Sequence, residues 1–316
     1  MDLLVGIDGG GSKTDCWLAD AQAQALGRGR AGASSLTHVS AEEAARQLEA
    51  ALREAFAAAR QEYRPEAVAA ACGGFAGAGR EPAQTRYFEL LTRLLSRARL
   101  QVVTDVRIGF EGALAGGPGV IVIAGTGSIA YGRNAAGREA RAGGYGPELS
   151  DEGGGYVLGR EAVRRVIEAY DRRRPPTRLR EAILQAWRLE DEERLLDFLI
   201  AARQTGEPLH FARLLPALQS AAAARDAAAL ELFAEAGAQL AALAAAVAGQ
   251  LGLVAPVVSY AGSVLVQVEA VRAAWSRELT GRLPGARIEP ALAPPPAGAL
   301  RLAQALAESH QATQKQ

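Results

Sequence analysis

Two short glycine-rich segments built on the same plan constrain the fold of this 316-residue chain more than any other feature. Residues 8–14 read DGGGSKT, and residues 124–128 read AGTGS. Each segment follows an apolar run typical of a buried strand (3–7 and 120–123), and each precedes a second strand-like run. Phosphate groups bind to bare backbone N–H groups with no Cβ in the way, which glycines supply. The pair therefore predicts a nucleotide triphosphate held between two related domains.

Length and composition narrow the class of protein. A chain of 316 residues is expected to form two domains, and its 49% apolar and 22% charged residues are ordinary for a globular protein. A formal net charge of zero argues against a nucleic-acid partner. Cys16 and Cys72 lack the spacing of a zinc site, so buried thiols in a reducing cytosol are expected. An N-terminal strand in place of a signal peptide, and an alanine-rich apolar stretch at 234–253, predict a cytoplasmic protein without a membrane span.

The order of strands and helices repeats along the chain. The predicted elements are strands at 3–7, 14–20, 25–31, 67–72 and 100–104, helices at 41–60 and 82–96, a glycine loop at 73–79, then strands at 120–124, 128–133, 138–142 and 257–260, and helices ending near 275 and 308. Ser40 and Glu43 have the spacing of a capping box at the start of the first helix. The prediction is an α/β fold of two domains, 1–112 and 113–296, each a mixed sheet flanked by helices. The second domain carries a helical insertion at about 156–250, and the C-terminal helix, about 297–316, is a candidate to pack on the first.

Two carboxylates follow predicted strands. Asp8 ends a buried strand and opens the first glycine turn, where a carboxylate faces phosphates only if a cation bridges them, so it is a candidate Mg²⁺ ligand. The alternative is an Asx-turn that closes the hairpin. Asp105 precedes a helix and could serve only as its N-cap. A carboxylate at the C-terminal end of a strand also lies where α/β sheets bind ligands, and it could accept a proton from an attacking hydroxyl.

Two further segments are candidates for ligand contact. Residues 143–155 combine many glycines with Tyr145, whose flat face suits a sugar, and with three possible acceptors of sugar hydroxyls: Glu148, Asp151 and Glu152. The alternative is a helix N-terminus that acidic residues stabilise. Residues 261–264 read AGSV between a strand and a helix, which fits either close approach to a nucleotide base or a plain βα turn.

Taken together, these motifs resemble a known superfamily. Residues 8–14 resemble the first phosphate motif of the actin-like sugar kinases and chaperone ATPases, residues 125–128 the second, and residues 261–263 the adenosine motif. More narrowly, Thr104-Asp105, residues 124–128 and residues 143–153 resemble the BadF/BcrA-type ATPase family, within which N-acetylglucosamine and glucosamine kinases are most similar.

This resemblance implies two ribonuclease-H-like domains with a closing cleft, and phosphorylation of the 6-hydroxyl of an amino sugar by ATP and Mg²⁺. It implies Asp105 as the general base and Asp8 with Asp105 at the metal. The implied nucleotide contacts are Gly10, Gly11, Ser12, Lys13, Thr14, Gly125, Thr126, Gly127, Ala261, Gly262 and Ser263. The implied sugar contacts are Asp105, Tyr145 and Asp151, together with Ser35 and Thr37.

The sequence departs from the family pattern in two places. Tyr145 stands where the family often has Trp, and residues 32–38 lack the Asn that commonly binds the sugar, so Ser35, Thr37 or His38 is a candidate substitute. An ATPase that activates a partner enzyme through an iron–sulfur cluster is a rival interpretation, although it requires clustered cysteines. A non-catalytic sugar sensor is a second rival. The alanine-rich helices allow a homodimer or an internal bundle.

Overall fold

The computed structural model describes residues 2–205 and 209–314. Two compact units are formed, one by the residues up to Gly117 together with those from Ala291 onward, and the other by Pro118–Pro290. Each unit contains a five-stranded mixed sheet with helices packed against it. The predicted α/β class with two mixed sheets flanked by helices is therefore confirmed.

The first unit contains, in chain order, β1 (Leu3–Gly9), β2 (Thr14–Ala19), β3 (Ala25–Ala31), α1 (Ala41–Ala58), β4 (Val68–Phe75), α2 (Ala83–Leu94), β5 (Arg99–Thr104) and α3 (Asp105–Leu114). The second contains β6 (Gly119–Ala124), β7 (Ser128–Arg133), β8 (Glu139–Gly143), α4 (Gly155–Tyr170), α5 (Leu179–Trp187), α6 (Glu192–Thr205), α7 (Leu215–Ala223), α8 (Ala227–Leu251), β9 (Val257–Ala261), α9 (Ser263–Gln267), α10 (Glu269–Arg282) and β10 (Arg287–Pro290). Helix α11 (Pro295–Gln314) belongs to the first unit, and residues 315–316 of the predicted C-terminal helix lie outside the described residues. Short 3₁₀ turns occur at Pro65–Ala67 and Phe211–Leu214.

The sheet of the first unit places three strand ends at one edge. Its order is β3-β2-β1-β4-β5, with β1 to β3 antiparallel and β4 and β5 parallel to β1. In this register Gly9 lies opposite Phe75, and Phe75 lies opposite Thr104. Because parallel strands end at the same side of a sheet, Asp8 at the end of β1 and Asp105 after β5 lie at the same edge, with β4 between their strands.

Both faces of this sheet are buried by helices. On one face, α1 and α2 contribute Leu48, Leu52 and Leu91 to a core that includes β-strand side chains. On the other face, Ile108 of α3 and Leu300 of α11 pack with Leu4, Ala70 and Cys72. Cys16 and Cys72 are buried free thiols, as the sequence predicts, and burial raises the pKa of each to about 12.

The sheet of the second unit repeats the plan of the first. Its order is β10-β9-β6-β7-β8, with β6 to β8 antiparallel and β9 and β10 parallel to β6. Helices α4 to α8 lie between β8 and β9, and α8 packs on β6 and β7. Among the described residues, α8 alone is long and apolar enough to cross a membrane, yet half of its most apolar stretch is buried inside the protein, as in a core helix. The internal repeat predicted from the glycine hairpins is thus present in the topology.

Three local predictions are wrong. Residues 73–75 are not loop, because β4 continues to Phe75 and pairs with β1 and β5. A Cβ on Gly73 would lie 2.8 Å from Cζ of Phe75 and closer still to Cε2, so the glycine makes room for an aromatic side chain within the strand rather than for a turn. Strand β10 was not predicted, and the helix after residue 263 is broken into α9 and α10.

The capping box is only half formed. The Ser40 hydroxyl accepts a hydrogen bond from the Glu43 backbone N–H at 3.2 Å. The Glu43 side chain does not complete the box, because it instead pairs with Arg46 and Gln47 along the helix.

Candidate functional site

The first glycine turn is closed by a single backbone bond and presents free amides. Gly10 N–H donates to the Lys13 carbonyl at 2.9 Å, and the Gly10 carbonyl accepts from Ser34 and Ser35, each at 3.1 Å. Across residues 2–205 and 209–314, no backbone carbonyl accepts from the amides of residues 11–13. The turn thus offers the bare N–H groups that a phosphate requires.

Thr14 supports this turn from inside. Its side chain is fully buried, and its hydroxyl donates to the Gly32 carbonyl at 2.8 Å and lies 2.7 Å from Ser34 Oγ. The hydroxyl therefore fixes the turn to the segment after β3. Lys13 lies at the exposed rim, where its ammonium is 2.6 Å from the Asp15 carboxylate.

Asp8 and Asp105 form the charged part of the site. Burial, followed by the negative charges of Asp105 and Asp15, raises the pKa of Asp8 to about 7 against the opposing charge of Lys13. Burial also raises the pKa of Asp105, although the Val106 N–H donates to Asp105 Oδ1 at 2.9 Å and lowers it. The two carboxyls are close enough to disfavour each other's ionised form.

The N-cap interpretation of Asp105 is wrong. Thr104 is the N-cap of α3, since its hydroxyl accepts from the Arg107 N–H at 3.3 Å. Asp105 is the first residue of the helix. Because Thr104 makes the cap, the carboxyl of Asp105 accepts from the backbone amides of Val106 and of Asp105 itself and retains oxygen lone pairs for a ligand.

The donor chemistry fits Mg²⁺ in part. Carboxylate oxygens are ligands that Mg²⁺ prefers, and a cation would relieve the repulsion between the two carboxyls. The described part of the chain contains no group of three or more His, Cys, Asp or Glu that could hold a metal. Asp8 and Asp105 could therefore supply only part of a shell, which suits an ion that keeps water and phosphate ligands.

The segment after β3 joins the turn to α2 through Tyr87, a residue that the sequence did not single out. Leu36 N–H donates to the Tyr87 hydroxyl at 2.7 Å, and the Tyr87 ring stacks on Phe75 with centroids 4.0 Å apart. Burial raises the pKa of Tyr87, and the charge of Asp105 adds to this, whereas hydrogen bonds to Leu36 and Ser35 lower it. Ser35 Oγ lies 2.8 Å from Thr37 Oγ1, so the structure brings these two predicted sugar contacts together.

The second glycine turn rests on the start of α4. Gly125 N–H donates to the Gly127 carbonyl at 2.9 Å. The first amides of α4 donate to carbonyls of this turn. Gly155 N–H donates to the Gly125 carbonyl at 2.8 Å, and Tyr156 N–H donates to the Thr126 carbonyl at 2.9 Å. Within the described residues, the amides of Thr126 and Gly127 donate to no backbone carbonyl. The second turn therefore offers free N–H groups as the first does.

Asp151 holds the second turn in place. It is 9% exposed, its backbone has a left-handed φ of 67°, and its Cγ lies 2.8 Å from the position of a Cβ on Gly127. Burial raises the pKa of Asp151, whereas the amides of Ser128 and Gly146 lower it. A carboxylate that faces two backbone amides is largely occupied within the protein, so a structural role accompanies any contact with a sugar.

Tyr145 is the exposed part of the glycine-rich segment. The side chain is 52% exposed, and the guanidinium of Arg141 lies 4.6 Å from the ring centroid. Gly143, Gly144 and Gly146 all have φ between 73° and 94°, values that residues with a Cβ rarely adopt. This backbone presents Tyr145 to solvent with one face of its ring covered by Arg141.

The predicted adenosine motif adjoins the second turn. Ala261 ends β9 opposite Ile123, and Gly262 caps α9 with φ 88° and ψ 152°. A Cβ on Gly262 would lie 2.8 Å from the Ala124 amide nitrogen and closer still to the Ala124 carbonyl. The glycine is therefore required by the protein's own backbone at the residue that precedes Gly125.

Comparison with known proteins gives consistent matches. The model of the BadF/BadG/BcrA/BcrD ATPase family matches residues 5–300. An N-acetylmuramic acid/N-acetylglucosamine kinase of Clostridium acetobutylicum is 35% identical over 199 residues, which are 63% of this chain and 64% of that protein. An N-acetyl-D-glucosamine kinase of Dictyostelium discoideum is 29% identical over 207 residues, 62% of this chain and 64% of that protein.

A solved structure matches over more of the chain. It is that of a proposed N-acetylglucosamine kinase from Chromobacterium violaceum, with a TM-score of 0.80 and 28% identity. The superposition covers 96% of this chain and 99% of the other. In sequence, the chain spans less than two thirds of the length of the two curated relatives. In fold, it matches nearly all of the related structure.

Proposed function

This chain belongs to the BadF/BadG/BcrA/BcrD ATPase family, and we propose that it is an ATP- and Mg²⁺-dependent kinase of an amino sugar, N-acetylglucosamine or glucosamine, with the 6-hydroxyl as acceptor. One observation carries the proposal. Asp8 and Asp105, with raised pKa values, follow two strands that end at the same edge of the sheet, where the glycine turn after β1 has free amides. The names of the similar kinases support the sugar as substrate class.

Phosphate binding falls to the two glycine turns in this proposal. The free amides of residues 11–13 in the first unit, and those of Thr126 and Gly127 in the second, would each donate to phosphate oxygens. Such donors need no reorganisation during the reaction, and they stabilise charge that develops on the phosphoryl group. Mg²⁺, when bound, would neutralise phosphate charge, and Asp8 with Asp105 would hold it.

Asp105 is the proposed general base. A carboxylate with a raised pKa accepts a proton more readily than an ordinary one, so burial makes Asp105 a better base than an exposed aspartate. The proton of the sugar hydroxyl would pass to Asp105 while the hydroxyl oxygen bonds to the terminal phosphorus and ADP leaves.

The side chains proposed to contact the sugar differ in their exposure to solvent. Ser35 is fully buried and Asp151 nearly so, whereas Thr37 and Tyr145 are exposed. We therefore assign direct contact first to Thr37 and Tyr145. Ser35 and Asp151 would contribute by fixing the segments that carry these residues.

A coupled assay with a panel of sugars tests the proposal. Glucosamine, N-acetylglucosamine, N-acetylmannosamine, N-acetylmuramic acid and glucose are offered with ATP and Mg²⁺, and the amino sugars named above are expected to give the highest kcat/KM. Release of ADP without phosphorylation of any sugar would reject the kinase and favour the partner-activating ATPase.

Asp105→Asn tests the catalytic role directly. The variant should bind the sugar within about threefold of wild type and lose turnover by roughly 10²–10⁴-fold, the usual contribution of a general base. Asp197→Asn is the matched control, because Asp197 lies on α6 in the second unit and pairs with Arg194 at the surface. Turnover of Asp105→Asn near that of the control would reject Asp105 as the base.

A further inference from the structure

The imidazole of His38 covers the first glycine turn. Its Cε1, Nδ1 and Nε2 atoms lie 2.9, 3.0 and 3.1 Å from the position that a Cβ on Gly11 would occupy. The ring thus fills the space that a side chain at position 11 would take. One side of the turn at Gly11 is therefore lined by an imidazole ring, whose nitrogens can donate or accept a hydrogen bond.

A chain of hydroxyls fixes the orientation of this ring. Thr37 Oγ1 lies 2.8 Å from His38 Nδ1 and 2.8 Å from Ser35 Oγ. The backbone closes the same segment, because the His38 N–H donates to the Ser35 carbonyl at 2.8 Å. When Ser35 donates to Thr37 and Thr37 donates to Nδ1, the neutral ring carries its proton on Nε2.

We propose that His38 is a nucleotide-specificity residue, which donates its Nε2–H to the terminal phosphate group of bound ATP. The proposal rests on the ATP binding in the proposed function above. The side chain is exposed and Nδ1 is engaged by Thr37, so Nε2 is the ring atom left for a ligand.

The position of His38 selects the terminal phosphate. His38 shares a short segment with Ser35 and Thr37, the proposed sugar-side residues, and its ring lies on Gly11 of the phosphate turn. The phosphate that meets the acceptor sugar is the terminal one. A hydrogen-bond donor between the phosphate turn and the sugar-side residues would contact this terminal phosphate, which ADP lacks. Such a donor would therefore favour binding of ATP over ADP.

Equilibrium binding without sugar tests this assignment. Titration calorimetry compares ADP with the β,γ-imido analogue of ATP, each with Mg²⁺, on wild type, His38→Phe and His38→Gln. His38→Phe keeps a ring over Gly11 but has no donor, and it should weaken analogue binding by about tenfold, as expected for one hydrogen bond to a charged group that is partly exposed. ADP binding should change less than about twofold.

The second variant separates shape from hydrogen bonding. His38→Gln restores an N–H donor of similar reach, so analogue binding is expected within about threefold of wild type. His210→Gln is the control for loss of an imidazole, since His210 lies in the second unit before the 3₁₀ turn. Equal losses for ADP and the analogue in His38→Phe, or no loss for either, would overturn the assignment.

The outcome is distinguishable from failure of the proposed function. If sugars are not phosphorylated but analogue binding falls selectively in His38→Phe, His38 keeps its role and only the acceptor is wrong. If sugars are phosphorylated and analogue binding is unchanged in His38→Phe, the kinase proposal stands and the role of His38 is rejected. A wild-type protein that binds neither nucleotide would overturn both.

Discussion

Replacing Gly262 with alanine should destabilise the protein in the absence of any ligand. Gly262 has φ 88° and ψ 152°, a region almost restricted to glycine, and an L-residue there costs about 1–3 kcal/mol. The new methyl group would also lie 2.8 Å from the Ala124 amide nitrogen and closer to its carbonyl. These are strand atoms that cannot rotate away, and such overpacking costs about 1–3 kcal/mol more.

The combined loss for Gly262→Ala is about 4 kcal/mol, which is a large part of the 5–15 kcal/mol that typically separates folded from unfolded protein. At roughly 2–4 °C per kcal/mol for a unit of this size, the melting temperature should fall by about 10 °C. Urea unfolding and thermal melting, both without nucleotide, measure the change.

Gly249→Ala is the matched control for this substitution. Gly249 lies in α8, and a Cβ there would meet no atom within 4 Å. Alanine favours an exposed helix over glycine, so this control should gain about 0.5 kcal/mol. If Gly262→Ala unfolds like wild type and only binds nucleotide more weakly, the glycine serves the ligand and the argument from the Ala124 backbone is refuted.

Two further predictions concern the carboxyls. Asp8→Asn should stabilise the metal-free protein increasingly as pH rises. The native pKa of Asp8, about 7, lies above the unfolded value of 3.8, so ionisation of Asp8 lowers the free energy of unfolding of wild type progressively between these pH values and by its full amount above pH 7. About three pKa units correspond to a gain of up to about 4 kcal/mol at pH 8 and almost none near pH 4; urea unfolding in EDTA at several pH values measures it, and a gain independent of pH would contradict the assignment. Asp151→Asn keeps a side chain that tolerates the left-handed backbone but turns an amide group toward the Ser128 or Gly146 N–H, so it should cost about 1–3 kcal/mol in thermal melting. Weaker sugar binding at unchanged stability would show that Asp151 acts on the substrate alone.

The repeated hairpins and the two mixed sheets were predictable from the sequence. An apolar run, a glycine turn and a second run define an antiparallel hairpin by local chemistry alone, and the chain contains this pattern twice. The placement of Asp8 and Asp105 at strand ends also followed from the sequence, because Asp8 comes at the end of one apolar run and Asp105 directly after another. The pattern of apolar and glycine residues was sufficient to predict the elements whose structure depends on residues close by in the sequence.

The errors arise where distant residues decide the structure. Gly73 appears in a glycine-rich run that suggests a loop, yet its lack of a side chain serves the Phe75 ring within a strand. Strand β10 is four residues long and contains Arg, Glu and Pro, so only its pairing with β9 makes it a strand. The burial of Asp151 against Gly127 and the contact of Tyr87 with Leu36 depend on tertiary packing, which no spacing in the sequence reveals.

The most direct test of the kinase proposal is the identity of the product. Phosphorus and proton NMR of the reaction of ATP, Mg²⁺ and N-acetylglucosamine or glucosamine should show one phosphate coupled to the protons on C6, with ADP formed in equal amount. Phosphate on another carbon, or inorganic phosphate released with unmodified sugar, would contradict transfer to the 6-hydroxyl beside Asp105.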